Sequence, residues 1–189
     1  MKVLEFEYFD SSDESVDSYF DGNCWSRPYE YKKVEDFLKE HIVKESKVHN
    51  TSWGFVGTHV MFKETLDNMP FETLHTDIKP SNLENTDVYD ITKKPKEEWV
   101  EAFDAVINIS TVEEVRFDHV TIIKNLLSMV KPGGYLAITF DLPGLQLKNV
   151  EDMVGQKIKD CESRLSGASS KYKNTRYDHL NCGCLFIQK

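Results

Sequence analysis

The sequence has few cysteines: Cys24, Cys161, Cys182 and Cys184 in 189 residues. So few, so irregularly spaced, exclude a disulfide framework and predict a reduced, cytoplasmic protein. Long hydrophobic runs are missing as well, and nothing approaches the roughly 18–20 apolar residues of a membrane helix. The first residues, MKVLEFEYFDSSDESVD, turn acidic at once and contain no signal-peptide core, so no membrane partner is expected. Positive charge is scarce: 23 Lys and Arg against 32 Asp and Glu leave a formal charge of −9. That balance argues against a phosphate-tracking surface, so a small-molecule substrate is expected and no nucleic acid. There is no internal repeat. What is there, 40% apolar and 29% charged residues, suits one globular domain with a real core.

The pattern along the chain predicts an N-terminal arm or lid over residues 1–28, acidic and serine-rich in the middle, and a single domain over 29–189. In EYKKVEDFLKEHIVKES, the apolar positions Val34, Phe37, Leu38 and Ile42 recur with His41 at helical spacing. A loop, NTSWGFVG, leads to a second helix in THVMFKETLDNM, with Val60 and Leu66 toward the core. FETLHTD and FDAVINIS read as strands, with a helical turn in EWVEAF between them. Phe117, Val120, Ile123, Leu126, Leu127 and Val130 predict a helix stopped by Lys131-Pro132-Gly133-Gly134. GYLAITFD is another buried strand, a short helix is expected near 148–154, and CGCLFIQK is the last strand. Alternating strands and helices predict an α/β fold, mostly parallel, with helices on both faces and an antiparallel C-terminal edge.

One string invites a different reading. His75-Thr76-Asp77-Ile78-Lys79-Pro80-Ser81-Asn82 nearly matches the kinase catalytic loop. The chain before it has no G-x-G-x-x-G, however, and nothing resembling D-F-G follows it. The match is coincidental.

In a doubly wound sheet, ligands bind outside the carboxyl ends of the strands. An acid ending the second parallel strand can accept hydrogen bonds from both ribose hydroxyls of a nucleotide-like ligand. Asp77 stands at such a position, Asp90 where the third strand should end, and Asn108 near the end of FDAVINIS. The order of these strings, over about residues 30–141, resembles the class I S-adenosylmethionine-dependent methyltransferases, most strongly in YDITKKP, FDAVINISTVEEV and LLSMVKPGGYLAITF. The resemblance implies a Rossmann-like sheet with S-adenosylmethionine as cofactor. It places Asp77 on the ribose, Asp90 by the adenine, and Asn108 to Glu114 along the methyl-transfer site.

The departures are equally specific. The family's acid-x-Gly-x-Gly loop is replaced by HNTSWGFVG. Asn50 stands for the acid, Ser52 for the first glycine and Gly54 for the second, while Trp53 offers a cation–π face to a sulfonium. Glu114 stands where the family often carries a histidine, and no nucleobase-amine motif follows the fourth strand. Methyl transfer to an oxygen needs a general base, and Glu113, Glu114 and His119 are the candidates. Simpler roles compete with each assignment. Asp77 and Asp90 also suit caps and turns, Asn50 and Ser52 suit a loop, Trp53 suits packing, and Glu113 and Glu114 suit a helix start. His179, Cys182 and Cys184 form H-x-x-C-x-C without an evident fourth ligand, so buried thiols and no metal site are expected. The functional expectation is a methyltransferase acting on a small or carbohydrate-like acceptor. The alternative is a degenerate fold kept as a binding or scaffold module, and another nucleotide-like ligand at the same rim is a third reading.

Overall fold

The strand signals resolve into one sheet in which the first and last strands along the chain pair with each other. The computed structural model describes residues 1–10, 26–54, 58–159 and 181–189. The strands are β1 (Lys2–Tyr8), β2 (Lys47–Thr51), β3 (Glu72–Asp77), β4 (Thr86–Val88), β5 (Phe103–Ile109), β6 (Val130–Asp141) and β7 (Cys182–Gln188). The helices are α1 (Arg27–His41), α2 (Thr58–Asp67), α3 (His119–Met129) and α4 (Leu147–Val154). The sheet order is β1-β7-β6-β5-β2-β3-β4. Pairing is parallel from β4 through β6 and antiparallel at β6–β7 and β7–β1. The chain thus has the mostly parallel, Rossmann-like arrangement that the sequence predicts, with β7 antiparallel. β7 is not the outermost strand, because β1 covers it.

Residues 2–8, which the composition assigns to an arm, are therefore part of the sheet. Their alternation is weak: the charged Glu5 and Glu7 are met by Lys33 from α1. Residues 11–25, the rest of the expected arm or lid, lie outside the described residues, as do Cys161 and His179.

β5 is central, and Ala105, Val106 and Ile107 are fully buried on its two faces. One face is covered by α1 and α2, through Tyr31, Val34, Leu38, Phe62 and Leu66. The other is covered by α3 and α4, through Ile122, Ile123, Leu126, Met129 and Val150. Burying each such aliphatic side chain contributes about 1.5–3 kcal/mol before entropy is counted. α3 begins later than its apolar periodicity predicts. The Asp118 carboxylate caps it by accepting from the Thr121 N–H at 3.0 Å. Phe117 is left outside the helix and 42% exposed, and the core face turns to Ile122 and Met129. Val130 and the KPGG turn belong to β6 instead. The pairing there jumps from Phe103–Val130 to Ala105–Tyr135, an irregularity that accommodates the turn.

Candidate functional site

β2, β3, β4, β5 and β6 all deliver their carboxyl ends to one rim, where a cleft of about 370 Å3 opens. That volume lies in the range of small-molecule sites, roughly 300–1,000 Å3. Arg27, Ser52, Gly54, Asp77, Asp90, Ser110 and Thr111 supply its polar wall, and Ile78, Tyr89, Ile91, Ile109 and Val115 its apolar wall. A larger cavity, about 490 Å3, lies at the amino ends of the strands beside Phe71, Thr73, Trp99 and Phe103. The carboxyl-end cleft is the stronger candidate, since ligands of open α/β sheets sit at that rim.

The loop after β2 is bent by two left-handed residues, Ser52 (φ 57°) and Gly54 (φ 70°). It is stitched to β3 through Ser52 N–H and Trp53 N–H, which both donate to Thr76 O at 2.6 and 3.4 Å. Gly54 N–H then donates to Asp77 Oδ2 at 3.2 Å, while Lys79 N–H donates to Asp77 Oδ1 at 3.1 Å. Each oxygen retains acceptor capacity toward the cleft. Asp90 is fixed similarly. Its Oδ1 accepts from the Thr92 hydroxyl and N–H, which hold its carboxyl below the usual carboxylate range.

LHTDIKPSN is thus the end of β3 and its turn. Thr76 is buried against His49 at 2.8 Å. The His75 ring accepts from Asn50 Nδ2 at 3.2 Å and donates to Asp67 Oδ1 at 2.9 Å, with burial lowering its pKa. Of the residues assigned to a cofactor from sequence, Ser52, Gly54, Asp77 and Asp90 line the cleft. Asn50 is turned away onto His75, and the buried Trp53 packs against the same ring at 6.0 Å between centroids. Asn108 is buried and donates to Thr51 Oγ1 at 2.9 Å, leaving its own oxygen unpartnered among the described residues. These three are held by neighbours in the fold, and none lines the cleft.

The three candidate bases also separate. Glu114 faces solvent. His119 uses both ring nitrogens: Nδ1 accepts from Gln146 N–H at 2.9 Å and Nε2–H donates to Val115 O at 3.1 Å. Glu113 is 7% exposed, accepts from Asp141 N–H at 2.7 Å through Oε1, and has no partner for Oε2 among the described residues. Burial, reinforced by Asp141, pushes its pKa up to about 8. Asp141 is likewise raised to about 7 by burial and by Glu30. Gly144 closes over Glu113, where a Cβ would stand 2.9 Å from the Glu113 Cβ.

Sequence reasoning missed what lies behind this rim. Glu30, fully buried on α1, accepts from the Ser110 hydroxyl, from Thr139 Oγ1 at 2.6 Å, and from Arg27. Burial opposes its ionisation, but Arg27 and the two hydroxyls outweigh that and lower its pKa. The signals were slight: an Arg-x-x-Glu spacing at a helix start, and an acid ending GYLAITFD as Asp77 ends FETLHTD.

No family model matches the sequence, and no curated protein matches it. Solved structures do match in fold. The CurJ carbon methyltransferase aligns over 96% of this chain and 59% of its own, at 14% identity and a TM-score of 0.57. The present chain thus spans less than two thirds of that protein. A Burkholderia thailandensis 1,6-didemethyltoxoflavin-N1-methyltransferase with bound S-adenosylhomocysteine aligns over 84% of this chain and 77% of its own, at 11% identity and a TM-score of 0.54. A Rhodobacter sphaeroides protein described as a Zn-dependent alcohol dehydrogenase aligns over 83% and 89%, at 15% identity and a TM-score of 0.54. At such identities the likeness speaks for the fold alone. The chain has the Rossmann-like fold that these class I S-adenosylmethionine-dependent methyltransferases share.

Proposed function

We propose that the cleft binds S-adenosylmethionine and that the chain transfers its methyl group to a small or carbohydrate-like acceptor. The observation that carries this reading is the open cleft bordered by Gly54 and Asp77, with Trp53 packed on His75 and not filling it. A fold kept only as a scaffold has no need to hold Asp77 between two backbone N–H groups with its lone pairs toward a cavity. The residues fit most of the cofactor. Asp77 can take the ribose diol, Asp90 and Ile91 can border the adenine, and the Ser52–Gly54 backbone can pass beneath the amino-acid end.

When bound, S-adenosylmethionine supplies an electrophilic methyl group on a sulfonium. This chain's work is then to orient the acceptor, exclude water and take a proton. Ser110 and Thr111, whose hydroxyls donate to Glu30 and Ile109 O, keep lone pairs to accept from an acceptor's hydroxyl, beside the apolar Val115. Glu113 is the base we assign, because among the three candidates it alone combines burial with a spare oxygen. It stands just behind the cleft lining, and with a pKa of about 8 it takes a proton only in its ionised fraction, so methyl transfer should rise with pH toward 8. The formal charge of −9 supports a small acceptor over nucleic acid. The buried thiol of Cys184, which donates to Glu5, supports a reducing, cytoplasmic setting.

The scaffold alternative rests on Asn50, whose amide is committed to His75 and leaves the loop without an acid for the cofactor's ammonium. Calorimetric titration with S-adenosylmethionine and S-adenosylhomocysteine separates the two readings. Micromolar binding, weakened at least about tenfold in Asp77→Ala with a nearly unchanged Tm, is the expected outcome. Absence of binding at millimolar ligand would leave the scaffold.

A further inference from the structure

Arg27 opens α1 and lines the cleft, yet only part of its guanidinium is used within the protein. Nη1 meets Glu30 Oε2 and, at 3.3 Å, Ser26 Oγ. Nε and Nη2 have no acceptor among the described residues. An arginine fork with free donors in a cleft is matched by a planar anion, and a carboxylate fits it with two parallel hydrogen bonds.

The support behind Arg27 is unusually fixed. Glu30 is fully buried and held from the far side by the Ser110 and Thr139 hydroxyls, on β5 and β6. That arrangement anchors the guanidinium before any ligand arrives, so little freedom is lost on binding. Burial opposes charge on Arg27, but Glu30 leads the groups that outweigh it and keep the guanidinium charged.

Position along the rim supplies the second part of the argument. The strand order β4-β3-β2-β5-β6 sets out Asp90, Asp77, Ser52 with Gly54, and then Ser110 with Arg27 behind it. From Asp77 to Ser110 is two strand spacings, roughly 10 Å. A ligand held by a diol at Asp77 and running toward Ser110 would present its far end to Arg27. In S-adenosylmethionine the ribose diol lies between the adenine and an amino-acid end that carries the carboxylate.

We infer that Arg27, braced by Glu30, anchors the carboxylate of the cofactor's amino-acid end. The inference rests on the cofactor reading of the cleft. It assigns the carboxylate to the helix before β2, a role separate from that of an acid for the ammonium, which Asn50 near the end of β2 does not supply.

The test compares S-adenosylhomocysteine with 5′-methylthioadenosine, which keeps the adenosine and lacks the amino-acid end, ammonium and carboxylate both; the Arg27 variants then isolate the carboxylate's share. Calorimetry on the full chain should show the first binding roughly 10–100-fold more tightly than the second, the effect of a charged hydrogen-bonded pair. In the double variant Arg27→Gln/Glu30→Gln, which leaves no buried charge unpaired, the gap should close through loss of S-adenosylhomocysteine affinity. Binding of 5′-methylthioadenosine should stay the same. Arg27→Lys, which keeps the charge and loses the fork, is measured in parallel in case the double variant does not fold, and should narrow the gap. If the wild type binds both ligands and the gap is absent, or survives in these variants, the assignment of Arg27 is overturned while the cofactor reading stands. Binding of neither ligand by the wild type overturns the cofactor reading, and the Arg27 assignment with it.

Discussion

Three carboxyls, Glu30 and Glu113 buried and Asp141 half-buried, crowd the end of β5 and β6, and their protonation differs because their partners differ. Glu30 has a cation and two hydroxyls, so it stays ionised. Glu113 has one backbone N–H and an acidic neighbour, and its pKa rises from the usual 4.5 to about 8. Between those values the folded protein holds a proton that the unfolded chain has released. Stability is therefore present in full below about pH 4.5 and is lost as pH rises toward 8. Asp141, raised from 3.8 to about 7, acts in the same direction. Glu30 acts in the opposite one, its contribution vanishing as pH falls through its lowered pKa. Glu113→Gln should thus match the wild type near pH 4.5 and exceed its stability by on the order of 2 kcal/mol above pH 8, read from Tm across pH. If Glu113 is the base, the same variant loses methyl transfer, about 100-fold or more, while cofactor affinity is kept. Ser52 offers a second check at this scale. Its left-handed backbone costs about 1 kcal/mol in a residue with a Cβ, so Ser52→Gly should raise stability by roughly that amount in urea titration.

At the scale of elements, β1 is the strand that composition hides. KVLEFEY carries as much charge as a surface segment, and its pairing with β7 was not legible because β7 lies at the other end of the chain. The junction is close. A Cβ on Gly183 would stand 2.4 Å from Glu7 O and 3.1 Å from the Phe140 ring. Gly183→Ala should therefore push β1 off the sheet and cost on the order of 1–3 kcal/mol. Proteolysis within residues 1–10 should increase in that variant. The helices were more legible. Val34, Phe37 and Leu38 recur at helical spacing and are all buried on α1. α3 was misread at its start because an apolar residue, Phe117, continued the periodicity past the Asp118 cap; local capping outweighed the pattern.

Taken as a whole molecule, the ion pair of Arg27 and Glu30 ties α1 to the carboxyl ends of β5 and β6, far apart in sequence. Removing one partner strands a buried charge. Arg27→Gln alone should cost about 3–5 kcal/mol, and the double variant with Glu30→Gln clearly less, a coupling that chemical denaturation would measure. Equal costs for the two would place Glu30 outside the stability of the core. The same connection gives the rim a half-buried cation across from the acids Asp77 and Asp90.

Local pattern was enough for the order of strands and helices after β1, for the parallel centre of the sheet and for the polar residues at strand ends. Each of these is written locally, in apolar runs, helical spacing and the acids that follow them. Asp77 and Asp90 were readable for that reason. Asn50, Trp53, Asn108 and His119 were not, because whether a polar or aromatic side chain faces a cleft or a neighbour depends on what packs across from it. Tertiary structure alone decided that His75 would claim Asn50, that Gln146 and Val115 would claim His119, and that Glu30 would meet Ser110 and Thr139 across the fold. Hydrogen bonds between residues distant in sequence leave no local pattern, and in this protein they set the chemistry of the rim.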